Sequence, residues 1–176
     1  PDICIVFGGP APTFLGEHLL ATCPDIDFIV QGEGELSFLD LVNALNASNP
    51  GSFENIDGIM FKKGNAIVKT QPRCHVQNLD TLTHPSKYFR FQHIAMSRGC
   101  PGNCTFCGSP RFWGSKPIRF HSPQWFFDEI QSLFKKGVTH FFVSDDTFTM
   151  DKQQVIDLCD LIISHKLPIT WNAISR

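Results

Sequence analysis

The 176-residue sequence has no surplus of either charge: 15 Lys and Arg stand against 17 Asp and Glu, a net charge of −2 with histidine neutral. No basic excess points to nucleic acid as a partner. Long hydrophobic runs are missing too. The longest, such as Ile3-Cys4-Ile5-Val6-Phe7, fall far short of the ~20 apolar residues of a membrane helix, so no span is expected. No secretory signal pattern, internal repeat or low-complexity tract is visible. The seven histidines are dispersed, with no His-x3-His or similar pair. The seven cysteines are an odd number, which argues against a disulfide framework and for a reducing, cytoplasmic setting with thiolates available to metal. The chain does not begin with Met, opens almost directly on an apolar strand and stops just past another, at Ile174-Ser175-Arg176. Both ends are expected to be cuts through a larger protein.

What is present is ordinary globular composition, 42% apolar and 18% charged, enough for one sizeable domain or two partial ones. Residues 1–48 read as strand, helix, strand, helix. Ile3–Phe7 has the continuous apolar pattern of a strand buried on both faces, and Asp27–Gln31 is the second strand. Helices are expected near Phe14–Ala21 and over Leu36–Leu45. This is the grammar of an open α/β sheet. The turns Gly8-Gly9-Pro10 and Gly32-Glu33-Gly34-Glu35 fall at strand ends, where such sheets bind ligands. Residues 49–90 contain a hairpin, Gly58–Phe61 and Ala66–Thr70 around Lys62-Lys63-Gly64-Asn65, then a linker over Asn78–Tyr88 that packs on its neighbours.

Residues 91–176 alternate strands and helices. His93–Met96 leads into a cysteine loop over Arg98–Arg119. Ser122-Pro123 caps a helix with Phe126, Ile130 and Leu133 on one stripe. Thr139–Val143 runs into Ser144-Asp145-Asp146. Asp151 and Gln154 form a capping pair for the helix bearing Val155, Leu158, Cys159 and Ile162. Ile169–Trp171 begins a third strand. A βαβαβ series implies a parallel sheet or barrel. Helical spacing makes Phe126 and Phe127 core residues and not an aromatic platform, and Lys135-Lys136 suits a helix C-terminus.

Cys100-x3-Cys104-x2-Cys107 carries the chemistry. Short spacings let one loop wrap a compact inorganic core, and glycines let backbone approach it. Four thiolates usually hold a four-iron cubane. Only three lie together here, so one iron would stay open to another ligand, which marks a reactive cluster. Two alternatives stand beside this: structural zinc on three Cys and a His such as His121, and a ferredoxin-type site completed by Cys74 or Cys159. Cys159 sits on an apolar stripe and reads as core. Ligand preference favours iron–sulfur.

Together with Phe106, just before the last cysteine, this motif resembles the radical S-adenosylmethionine superfamily. The order Gly8-Gly9-Pro10, Gly32-Glu33-Gly34-Glu35, hairpin, Ser97-Arg98-Gly99-Cys100-Pro101, Asp145-Asp146-Thr147-Phe148-Thr149 is similar to the branch with a cobalamin-binding domain in front of the radical domain, over nearly the whole chain. The resemblance implies that Cys100, Cys104 and Cys107 bind three irons of a [4Fe-4S] cluster. S-adenosylmethionine chelates the fourth and is cleaved reductively to methionine and a 5′-deoxyadenosyl radical. It places Phe106 near the adenine and gives Asp145 or Asp146 to the methionine amino group, against the plain alternative of a turn or capping aspartate. Gly8, Gly9, Gly32, Glu33 and Gly34 would flank a cobalamin tail. The Asp-x-His-x-x-Gly motif whose His can ligate cobalt is not in the chain and would lie upstream, so cobalamin is implied for the parent protein.

The fold class this implies is α/β: the C-terminal part of a Rossmann-like cobalamin-binding domain (1–48), a hairpin and linker (49–90), and the first half of a partial (β/α) TIM-type barrel (91–176). The expected activity is radical methylation, or a related transformation, of a small-molecule substrate, with an electron donor such as flavodoxin or ferredoxin. A methylthiotransferase-type enzyme acting on tRNA or protein shares the Arg-Gly-Cys loop, but Cys4, Cys23 and Cys74 show no second cluster grouping. A non-catalytic zinc or electron-transfer module is the reading from another class. Three strands cannot close a barrel, and open edges invite aggregation, so the piece alone is expected to be inactive or unstable.

Overall fold

A computed structural model describes residues 3–47, 52–113 and 118–175. The boundary read at 48/49, and Arg176, lie outside the described residues. The chain divides into two compact units, Pro1–Val76 and Gln77–Arg176. Among the described residues no helix is long and apolar enough to cross a membrane.

The first unit contains β1 (Val6–Gly8), α1 (Pro10–Thr22), β2 (Phe28–Val30), α2 (Gly34–Asn46), β3 (Ile59–Lys63) and β4 (Ala66–Lys69). They form one sheet in the order β1-β2-β3-β4. β1 and β2 are parallel, and the hairpin β3–β4 adds antiparallel through Ile29↔Met60 and its neighbours. The alternation of β2 sends its side chains to opposite faces. Ile29 packs with Leu20 of α1, Ile26 and Met60. Phe28 and Val30 pack with Leu41 of α2, Ile56, Ile59 and Phe61. The sheet is thus covered by one helix on each side.

The continuous apolar run at Ile3–Phe7 does not give a strand buried on both faces. The regular strand is Val6–Gly8, and Ile3, Ile5 and Phe7 are 73%, 37% and 41% exposed. The physical reason is position: β1 is the edge strand, paired among the described residues with β2 alone.

The second unit contains β5 (His93–Ile94), β6 (Ser97–Arg98), α3 (Ser109–Phe112), β7 (Arg119–Phe120), α4 (Pro123–Lys135), β8 (His140–Val143), α5 (Lys152–Ser164) and β9 (Thr170–Ala173). Strands β5-β8-β9 form a parallel sheet in that order. Both N-caps are present: the Ser122 hydroxyl accepts from Trp125 N–H at 3.2 Å, and Asp151 accepts from the N–H groups of Gln153 and Gln154. The return half of the Asp151–Gln154 pair is not made, the Gln154 Oε1 being buried with no hydrogen-bond partner among the described residues. Ile94, Phe141 and Val143 of the strands pack with Phe126, Phe127, Ile130 and Leu133 of α4 and with Leu158 and Ile162 of α5.

Residues 78–88 are tied to α4 by buried polar groups. Glu129, 2% exposed, accepts from Ser86 N–H at 2.9 Å and from its hydroxyl at 2.6 Å, and lies 2.9 Å from His84 Nδ1. Trp125 stacks with both His84 and His121, at centroid distances of 4.1 and 3.6 Å. His121 Nδ1 is 3.3 Å from Asp80 Oδ1. Burial pushes the His121 pKa down to about 4, outweighing the opposing pull of Asp80. A depressed folded-state pKa stabilises the fold above the unfolded value of 6.5, and that contribution is lost as pH falls through about 4. The protein is expected to lose up to about 3 kcal/mol over this window, read by urea unfolding at successive pH values. A His121→Asn variant should flatten the slope between pH 6.5 and 4, and an unchanged slope would assign it to other groups.

Candidate functional site

The three cysteines lie on a loop that leaves and re-enters the fold through β6 and β7, where Ser97 pairs with Phe120 and Arg98 with Arg119. The loop is therefore pinched at its root by its own short ladder. Gly99 turns the chain there at φ +107, a left-handed conformation that side chains resist. The Arg98 guanidinium lies 5.7 Å from the Trp113 ring centroid, drawing the far limb of the loop toward its start. α3, a single turn inside this loop, was not expected from the sequence and carries Ser109.

Three consecutive residues after β8 grip this loop at three points. Asp145, 2% exposed, accepts from Met96 N–H at 2.7 Å and from the Ser97 hydroxyl. Asp146 accepts from the Ser109 hydroxyl. Thr147 Oγ1 lies 3.8 Å from Cys100 Sγ. Burial raises the Asp145 carboxyl above the usual carboxylate range, against the hydrogen bonds from Ser97 and Met96 that favour its charged form. Asp145 spends both oxygens on the protein; Asp146 is half-buried, with one oxygen engaged by Ser109.

Cys100 is 6% exposed, and Gly102 N–H donates to its sulfur at 3.4 Å. Cys104 and Cys107 are half-buried, with Cys107 N–H donating to the Cys104 carbonyl at 3.1 Å. None of the cysteines forms a disulfide. Among the described residues no three His, Cys, Asp or Glu side chains come close enough together to hold a single metal ion. Around one zinc, with Zn–S near 2.3 Å, sulfurs sit within roughly 4 Å of one another. His121, the candidate fourth zinc ligand, is buried against Trp125 and Asp80. An iron–sulfur cluster is a larger body with its ligands at separate corners. Three thiols on one loop, with a backbone N–H already directed at one sulfur, fit that group in donor type and in their close sequence spacing. Of the other thiols, Cys159 on α5 is half-buried, with its pKa raised by burial and by Asp160, and Cys74 is exposed. Phe106 is 91% exposed, so its ring is open to a ligand and not covered by this chain.

In the first unit, four of the five glycine-turn residues, Gly8, Gly9, Gly32 and Gly34, line a cleft of about 430 Å³ with Phe7, Val30 and Phe38. It lies at the C-terminal ends of the parallel pair β1–β2. Added Cβ atoms at Gly9 (φ +95) and Gly32 (φ +62) would meet nothing within 4 Å, so the space beside both backbones is open to a bound group. Glu33 does not line this cleft: its carboxylate accepts from Val76 N–H at 3.2 Å and lies 3.7 Å from His75 Nδ1.

Sequence reading missed the sheet face of the second unit that carries the exposed residues His93, Phe142 and Asn172. His93 stacks on Phe142 with centroids 4.9 Å apart, and His140 Nδ1 is 2.7 Å from Thr170 Oγ1. Asn172 is in register with Phe142. The period-two alternation of His140-Phe141-Phe142-Val143 was the available signal.

The Radical SAM superfamily model matches residues 94–175. Along 99% of its length the chain is 36% identical to an uncharacterised methyltransferase of Pyrococcus horikoshii, covering 40% of that protein. Over 97% of its length it is 35% identical to an anaerobic magnesium-protoporphyrin IX monomethyl ester cyclase of Synechocystis, covering 36% of it. The chain thus spans less than half the length of these relatives. Among solved structures, the cobalamin-dependent S-adenosylmethionine radical enzyme OxsB superposes with a TM-score of 0.77 at 21% identity, over 98% of this chain and 26% of that one, a mixed α/β fold of the same kind. The cysteine loop and nearly all of the parallel βαβαβ unit fall inside the 94–175 match to the radical SAM superfamily, and the relatives align along both units.

Proposed function

We propose that this chain is the cofactor-bearing part of an enzyme that cleaves S-adenosylmethionine reductively and uses the result to methylate, or otherwise transform, a small-molecule substrate. The observation that carries it is the cysteine loop seated against Asp145-Asp146-Thr147 at the C-terminal end of a parallel strand pair, the end at which barrels do their chemistry. Cys100, Cys104 and Cys107 would hold the [4Fe-4S] cluster. When bound, the cluster and S-adenosylmethionine supply one-electron cleavage of the sulfonium and hydrogen abstraction. The chain's own residues position and shield. Asp145 holds the loop root, and Asp146, whose second oxygen is left over from Ser109, receives the methionine ammonium. The exposed Phe106 ring offers an apolar face to the adenine.

In finer terms, residues 91–176 are read as the first half of a partial TIM-type barrel and the first unit as the end of a Rossmann-like domain. The cleft at Gly8, Gly9, Gly32 and Gly34 supports cobalamin in the parent protein, because it lets a large ligand approach bare backbone. Methylation is favoured by the methyltransferase relative; the cyclase relative keeps a carbon-skeleton change as the second reading. A flavodoxin or ferredoxin would deliver the electron.

The test is anaerobic reconstitution of the full-length protein with iron and sulfide, followed by electron paramagnetic resonance of the reduced sample with and without S-adenosylmethionine. The expected result is a four-iron signal that changes on adding S-adenosylmethionine, with 5′-deoxyadenosine or S-adenosylhomocysteine formed on turnover. Zinc without sulfide, or a cluster indifferent to S-adenosylmethionine, would overturn the proposal.

A further inference from the structure

Beyond helping to seat the loop, Thr147 has no chemical role in the reading above, yet its position is specific. It is 4% exposed. Its hydroxyl donates to the Asp146 carbonyl at 2.7 Å and lies 3.8 Å from the sulfur of Cys100, itself 6% exposed. A hydroxyl has one proton to give and lone pairs to receive. With Cys100 as a thiol, the S–H donates and the Thr147 oxygen accepts. An iron-bound thiolate has no proton and only accepts. For the two atoms to stay hydrogen-bonded at this distance, the hydroxyl must turn from the Asp146 carbonyl and donate to sulfur. Both groups are buried, which strengthens a hydrogen bond between them. Among the described residues, Gly102 N–H also donates to this sulfur, at 3.4 Å.

We infer that Thr147 is a positioning and tuning residue for the cluster, resting on the cluster assignment above: its hydroxyl donates to the Cys100 sulfur and raises the reduction potential of the cluster. A donor stabilises negative charge on the ligand sulfur, and the reduced cluster carries one electron more than the oxidised one, so the bond strengthens on reduction.

The experiment compares the full-length protein with Thr147→Val and Thr147→Ser variants after anaerobic reconstitution. Iron and sulfide are counted per chain, and a redox titration is monitored by electron paramagnetic resonance without S-adenosylmethionine. The expected result is full iron and sulfide in all three proteins and a more negative midpoint potential in the valine variant. A threefold to tenfold shift of the reduction equilibrium is expected, about 30–60 mV at 59 mV per decade for one electron. The serine variant, which keeps the donor, should match the wild type. An unchanged potential in a fully loaded valine variant overturns the inference. So does failure of both the valine variant and a folded Thr147→Ala variant to retain iron, because a tuning hydroxyl is not needed for retention. If the wild-type protein itself assembles no cluster, the cluster assignment fails first.

Discussion

Replacing Cys100, Cys104 or Cys107 with alanine is expected to abolish cluster assembly and S-adenosylmethionine cleavage in the full-length protein, while Cys159→Ala leaves both intact. Each loop cysteine would supply one corner ligand, and a cluster held at three corners has no spare to lose. Even partners one shell beyond a metal ligand typically cost about 10–100-fold in affinity or activity when removed, so loss of a ligand should exceed that. The Cys100 variant should be the most damaging, since it also removes the sulfur that Gly102 N–H and Thr147 face. Iron and sulfide analysis with quantification of 5′-deoxyadenosine checks this. A Cys104→Ala or Cys107→Ala protein with wild-type iron content would show that these sulfurs are not ligands.

The second large effect is expected at Asp145. Alanine there strips partners from Met96 N–H and the Ser97 hydroxyl in a site 2% exposed to solvent. Buried donors left unsatisfied cost about 1–3 kcal/mol each, so Asp145→Ala should destabilise the protein by about 2–5 kcal/mol and release the root of the cysteine loop. Asn keeps an oxygen for Met96 N–H, and Ser97 can reverse its role and accept, so Asp145→Asn should recover most of the loss. The sign of the pH effect follows from burial. Because the folded carboxyl is raised, its contribution is fullest below the unfolded carboxylate pKa and declines as pH rises through the folded one; Asn removes that decline. Asp146→Asn should keep stability and cluster but bind S-adenosylmethionine roughly tenfold more weakly, the order of one charge-assisted hydrogen bond. Urea unfolding and equilibrium binding separate the two aspartates. Equal behaviour of both variants in both assays would refute the division of roles.

What could be read from the sequence was what depends on near neighbours. Ser122 and Asp151 announce their helices because a cap bonds to an N–H two or three residues on. The hairpin around Gly64 and the cysteine spacing are equally local. Features set by distant partners were not legible. The apolar run at Ile3–Phe7 looks like any central strand, and only its place at the sheet edge exposes it. Asp145 and Asp146 are indistinguishable as adjacent carboxylates. The structure separates them because Asp145 points into Met96 and Ser97 and Asp146 toward Ser109. Glu33 shares a glycine turn with cleft residues yet engages Val76, and the histidines of β5 and β8 seemed dispersed until strand pairing set His93 beside Phe142.

The grip of residues 145–147 on the cysteine loop has a consequence in the time course of biosynthesis. Thr147 follows Cys100 by 47 positions and Asp145 follows Met96 by 49. At about 5–20 residues per second, a ribosome needs roughly two to nine seconds to pass from the cysteines to the segment that holds them, and longer to clear it from the exit tunnel. In that interval the thiols emerge on a loop without its anchor, open to oxidation and to any metal that thiolates capture. Under the proposed cluster assignment, iron and sulfide are therefore expected to be retained only after α4 and β8 have formed, and the nascent loop is the stage expected to be most sensitive to oxygen.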